Sequence, residues 1–189
     1  RSLAGNWNIK ADRITVSEID EVNHVETALY NKMLYPLFKT PIKGVIWYQG
    51  EANANTLAQA ENYAQQFPAL IQDWRGGWQD MTLPFYWVQL ANFDSGRNTG
   101  DEKPWAVLRE SQTATLELAN TGQAITIDVG NPQDIHPRDK LTVGNRLALI
   151  ALNKTYGYSR LHYRGPVFKS KVKKKDRINR CAMGHQMLV

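Results

Sequence analysis

Residues 44–55, GVIWYQGEANAN, decide how the chain reads. Val45, Ile46, Trp47 and Tyr48 are apolar without alternation, which predicts a β-strand covered on both faces. The run then stops in an amide, a glycine and a carboxylate: Gln49, Gly50 and Glu51. A buried strand that ends in polar groups predicts that those groups stand at the rim of a sheet.

The flanking sequence supplies the rest of such a sheet. Thr56 is placed to cap a helix, in which Tyr63, Phe67, Leu70, Ile71 and Trp74 recur on one face. Pro68 predicts a kink in it, and Gly76-Gly77 its end. FYWVQL at 85–90 reads as a second buried strand, followed by a loop rich in Gly, Asn and Asp. Residues 105–118 have a helical period, and QAITIDV at 123–129 reads as a third strand. The loop GNPQDIHP leads to a helix from Pro137 to Tyr156, with proline in the first turn and Gly157 as its cap. Upstream, Leu29, Met33 and Leu34 share a helical face that Pro36 ends or kinks. Residues 1–22 fit either short strands or an irregular lead-in. Strands separated by helices predict parallel pairing, right-handed crossovers and a three-layer α/β/α fold.

The 189 residues suit one ordinary domain, and 42% hydrophobic with 22% charged residues marks a globular chain. Six Trp and eight Tyr serve cores first, and flat sugar platforms second. Cys181 is the sole cysteine, which excludes an internal disulfide and a multi-cysteine metal site. No apolar run reaches the roughly 18 residues of a membrane span. The net charge of +5 is concentrated in residues 169–180, KSKVKKKDRINR, which alone carry +6. Without interleaved aromatics, this run reads as a solvated basic tail rather than a nucleic-acid surface. The chain starts Arg1-Ser2-Leu3. That fits a removed leader or a piece of something longer.

Open parallel sheets bind ligands beyond the carboxyl ends of their strands. Three such ends are identifiable: Gln49 to Glu51, Gln89 to Phe93, and Asp128 to His136. His136, in Asp134-Ile135-His136-Pro137, is the candidate proton carrier. The competing reading is a surface histidine at a helix start. His24, His162 and His185 have no comparable setting. Gln49 offers a side-chain N–H and Gly50 an unobstructed backbone N–H, a donor pair suited to a developing oxyanion. Glu51 is open to three uses: orienting the histidine, binding a sugar hydroxyl, or bracing the loop through an ion pair. Arg109 is a conceivable partner for that last role.

Several ordered motifs share one resemblance. Lys43 to Glu51 resembles the third sequence block of the SGNH-type (GDSL-like) esterases. Within them it is similar to the sialate O-acetylesterase branch, relatives of certain acetylxylan esterases. Leu29-Tyr30-Asn31, Asp73-Trp74-Arg75, Leu83-Pro84-Phe85-Tyr86, Leu108-Arg109-Glu110-Ser111-Gln112 and Asp134-Ile135-His136-Pro137 extend the match over about 25–168. The resemblance implies a flavodoxin-like α/β/α domain that removes O-acetyl groups from sugars. It implies a serine nucleophile, His136 as base, Gln49 as oxyanion donor and no cofactor or metal. Tyr48, Gly50 and Glu51 then fall on the substrate side.

The chain departs from that pattern twice. The Gly-Gln-Ser-Asn-like block that holds the family's nucleophile is absent. None of Ser2, Ser17, Ser95, Ser111, Ser159 and Ser170 has its context. The expectation is a C-terminal part of a catalytic domain, without the first strand and the serine, and inactive by itself. The acid that many SGNH enzymes place three residues before the histidine is here Gln133, with Asp134 one further on. Asp134, Asp128 and Glu51 all stay open as the orienting acid.

The expected organisation is a partial esterase domain over 1–168 and a poorly ordered basic tail over 169–189. The expected partner is an acetylated carbohydrate, with neither membrane nor nucleic acid, and the expected location is secreted or periplasmic. The rival readings are a non-catalytic carbohydrate-binding module of the same fold and a nucleic-acid contact through 169–180.

Overall fold

A computed structural model describes residues 27–94, 96 and 103–165, together with the backbone of 167–174 and 177–184. The chain divides between Pro41 and Ile42. The described part of the first unit is a π-helical turn, Tyr30–Leu34, followed by a 3₁₀ turn, Tyr35–Lys39. Tyr35 N–H bonds back to Tyr30 O, and Pro36 supplies no backbone donor in the tighter turn that follows. These turns advance at a different angle per residue from an α-helix, so the expected apolar stripe is not kept. Leu29, Met33 and Leu37 are exposed, while the Phe38 ring packs edge to face with those of Tyr30 and Tyr35.

The second unit carries the sheet. Strands β1 (Val45–Trp47), β2 (Phe85–Val88) and β3 (Thr121–Ala124) lie in that order, and both pairings are parallel. Between them run α1 (Leu57–Gly77) and α2 (Pro104–Ala114), and α3 (Lys140–Lys154) follows β3. Side-chain alternation along β2 divides the core in two. Phe85 and Trp87 join Tyr63, Phe67 and Ile71 of α1 and Trp105 and Leu108 of α2. Tyr86 turns the other way, to Ala124 and Ile150 of α3. Helices thus cover both faces, and the three-layer α/β/α arrangement expected from the sequence is the one observed.

Local chemistry explains the element ends. Thr56 caps α1 by accepting from Gln59 N–H at 3.2 Å, and Asp139 caps α3 by accepting from Thr142 N–H at 2.9 Å. Arg75, buried near the end of α1, donates to Leu83 O at 3.0 Å and Ala119 O at 2.7 Å. It ties that helix to the segments feeding β2 and β3. Burial pulls its guanidinium below the usual arginine value, so carbonyl partners stand in for lost water.

Several expectations change. Ile46 is 69% exposed, so β1 is covered on one face only among the described residues, because α3 lies over β2 and β3. The third strand is Thr121–Ala124, not 123–129. Its ladder ends where Ala124 O accepts Gln89 N–H, and Ile125 and Ile127 beyond it are exposed. The last helix begins at Lys140: Pro137 is buried in the preceding loop, and Asp139 supplies the cap. The helical run predicted over 105–118 is α2 followed by a 3₁₀ turn, Thr115–Glu117. Helix α1 runs unbroken through Pro68. Gly157, at φ +78°, holds the left-handed turn after α3. Where the sequence reads as a basic tail, β4 (Val167–Lys174) and β5 (Arg177–Gly184) pair antiparallel.

Candidate active site

The carboxyl ends of β1 and β2 are locked together from the α2 side. Gln112 is a buried amide on an otherwise apolar helix face. Its Oε1 accepts Leu90 N–H at 2.9 Å, and its Nε2 donates to Gln49 O at 3.2 Å. Trp105 Nε1 donates to Ala91 O at 2.8 Å. Ser111, also buried, donates its hydroxyl to Ala60 O at 2.8 Å across the α1–α2 contact. That serine is a helix-packing group with no access to substrate.

Gln49 is held at both ends of its amide. Tyr63 O–H donates to Oε1 at 3.1 Å, and Nε2 donates to Asn53 Oδ1 at 2.9 Å. One N–H of Nε2 is left over. Burial, the largest cause, pushes the Tyr63 phenol up to about 12, so it remains a donor throughout neutral pH. Gly50 follows with φ +147°, a region where side chains are strained. A Cβ there would stand 2.9 Å from Leu108 Cδ2 and 3.3 Å from Gln112 Nε2. Only glycine lets the turn settle against α2. Glu51 starts a 3₁₀ turn, Glu51–Ala54, and has no ion pair among the described residues. Of its three open uses, the brace to Arg109 is not formed.

The histidine loop is fixed by apolar anchors on either side. Ile135 packs against the core cluster shared by β1, β2, α1 and α2, and Pro137 is buried. His136 between them points outward, 88% exposed. Pro132 O accepts Asp94 N–H at 2.9 Å, and Gly130 lies so close to Asn92 that any side chain would collide with it. Both contacts fasten the loop to the end of β2. Just beyond it, Lys140 Nζ sits 5.1 Å above the Tyr48 ring, next to Gln49. Burial and then Glu51 push the Tyr48 phenol up.

The three carboxylates separate clearly. Asp134 Oδ1 accepts His136 N–H at 2.9 Å and lies 3.8 Å from His136 Nδ1, beyond hydrogen-bond reach. Asp128 accepts from both Nη atoms of Arg146 at 2.6 Å, and that pairing holds its carboxyl at about 2. It braces the end of β3 and is occupied. Glu51 stands on the Gln49 side of the site. Among the described residues, no three His, Cys, Asp or Glu side chains gather as a metal site, and no helix is long and apolar enough to cross a membrane.

The residues missed from sequence are the supports. Asn53 and Tyr63 hold Gln49, and Gln112 joins two strand ends. Two signals were available: an amide four residues after Gln49, and a glutamine on the apolar stripe of α2.

The comparisons with known proteins agree with one another. The family described as carbohydrate esterase, sialic acid-specific acetylesterase, matches residues 14–153. Human sialate O-acetylesterase is 37% identical over 158 residues, 75% of this chain and 29% of that protein. The Rattus norvegicus sialate O-acetylesterase is 38% identical over 160 residues, 76% of this chain and 29% of that protein. The crystal structure of a carbohydrate acetylesterase from Xanthomonas citri superposes with a TM-score of 0.73 at 56% identity, over 76% of this chain and 33% of that one. The chain spans 29% of the length of the curated relatives it matches.

Proposed function

This chain belongs to the sialic acid-specific acetylesterase family of carbohydrate esterases, and from that premise we propose that it contributes part of the active site of an enzyme that removes O-acetyl groups from sugars. The nucleophile in this reading is a serine in a segment other than those described. It attacks the acetyl carbonyl while His136 takes its proton, and His136 returns that proton to the departing sugar oxygen; water, giving its proton to His136, then cleaves the acetyl-serine ester, and the proton passes back to the serine as acetate leaves. Gln49, through its unused N–H, and Gly50 N–H receive the carbonyl oxygen as it gains charge. Asp134 orients the imidazole. It stands 3.8 Å from Nδ1 in the free protein, and catalytic hydrogen bonds often tighten only when substrate binds. Tyr48 and Glu51 lie on the sugar side. Such glycan esters occur outside the cytoplasm, so a secreted or periplasmic location goes with the reading, and cell fractionation tests it.

The observation that carries the proposal is the shared footing of two segments far apart in sequence. Ile135, beside His136, packs against the same core cluster as Trp47, and Lys140 covers Tyr48. The test is acetate release by the full-length protein from O-acetylated sialic acid and from acetylated xylan fragments. His136→Ala should lower kcat by about 10²–10⁴-fold, the range for a positioned general base. An unchanged rate in that variant would refute the mechanism. Sugar binding without acetate release would favour the binding-module reading.

A further inference from the structure

Helix α2 contributes a second group near the carboxyl end of β2, one that the acyl-transfer chemistry leaves unused. Arg109 is half-buried, and burial pulls its guanidinium below the usual arginine value. Its side chain makes no hydrogen bond or ion pair with any described residue; only its backbone carbonyl is used, by Thr113 and Gln89. The other arginines inside the fold are satisfied differently: Arg75 bonds two carbonyls, and Arg146 pairs with Asp128. A partly desolvated cation without a counter-charge is costly unless something supplies one.

Arg109 lines a cavity of about 330 Å³, with Lys103, Trp105, Asn92, Phe93 and Asp94. Pro132, from the loop that bears His136, closes one wall. Among the described lining residues two cations face one carboxylate, and Asp94 is already accepting Gly96 N–H at 3.1 Å. An external anion bound here would balance that charge, beside the Phe93 ring. We propose that Arg109, assisted by Lys103, is the specificity-determining subsite for the carboxylate of an acidic sugar. A guanidinium suits this task because its planar fork matches both carboxylate oxygens. Phe93, half-buried beside it, offers an apolar face of the kind sugar rings stack on, with Trp105 packed behind it in the core. The inference rests on the acetylesterase reading and refines it: Arg109 selects which acetylated sugar is held, and takes no part in bond cleavage.

The test compares two substrates in the full-length protein, O-acetylated sialic acid and an O-acetylated neutral sugar. Arg109→Gln should raise KM for the acidic substrate by about 10–100-fold while changing the neutral one by less than about threefold, the loss expected for a charge-assisted contact. Arg109→Lys, which keeps charge but loses the fork, should fall between, and thermal melts should show both variants folded. Equal losses on both substrates, or none on either, would overturn the subsite. Calorimetry supplies an arm that needs no turnover. Wild type should bind free sialic acid more tightly than its methyl ester, and Arg109→Gln should lose that preference. If no sugar ester is cleaved, the esterase reading fails and calorimetry alone decides the subsite.

Discussion

The amide of Gln49 shows how much of the site depends on single side chains. Its carbonyl oxygen faces the Tyr63 hydroxyl and its nitrogen faces Asn53. The Tyr63 bond therefore selects which end of the amide offers a free N–H to a ligand. Because the phenol is raised to about 12, the folded state holds that proton more tightly than the unfolded chain, where tyrosine titrates near about 10. The stability this contributes is complete below pH about 10 and is lost as pH rises through about 12. An ultraviolet titration of wild type against Tyr63→Phe should therefore assign the missing tyrosinate signal to pH about 12. Ionisation of that residue near pH about 10 would show that the hydroxyl is free in water. His136 was legible in sequence because a histidine between a strand and a helix is conspicuous. Asn53 and Tyr63 were not, since their value lies only in their contact with Gln49.

At the scale of elements, α2 is the bracket of the site. Gln112 bonds the ends of two strands, Leu108 receives Gly50, and Arg109 faces the neighbouring cavity. Gly50→Ala tests the bracket. At φ +147°, with Leu108 2.9 Å from the added carbon, the change should cost about 1–3 kcal/mol of stability. Denaturant midpoints would measure the loss, and kcat should fall with it as the backbone N–H moves. A variant as stable and active as wild type would mean that this turn is not held against α2. The stripe of α1 and the run of β2 were legible because burial is continuous along both. The start of β3 was not. Thr121-Gly122-Gln123-Ala124 lacks a strand signature, and pairing with β2 selects it over the more apolar but exposed Ile125 and Ile127. The start of α3 was misread because Pro137 fits a first helical turn equally well; the Asp139 cap decides it.

Across the whole molecule, the proposed mechanism has an amide at the end of β1 and an imidazole before α3 serve a single ester carbonyl. The parallel sheet directs all three strand ends to one edge, and this much followed from the order of elements in the sequence. Exposure of Ile46 on β1 marks the one face of the described sheet that α3 leaves open. The most direct measurement is a crystal structure of the full-length protein trapped with a tetrahedral phosphonate on its nucleophilic serine. The phosphonyl oxygen is expected within about 3.1 Å of Gln49 Nε2 or Gly50 N, and the His136 imidazole within about 3.2 Å of the serine oxygen. A trapped adduct held by other donors, with His136 turned to solvent on the far side of the sheet, would contradict the mechanism.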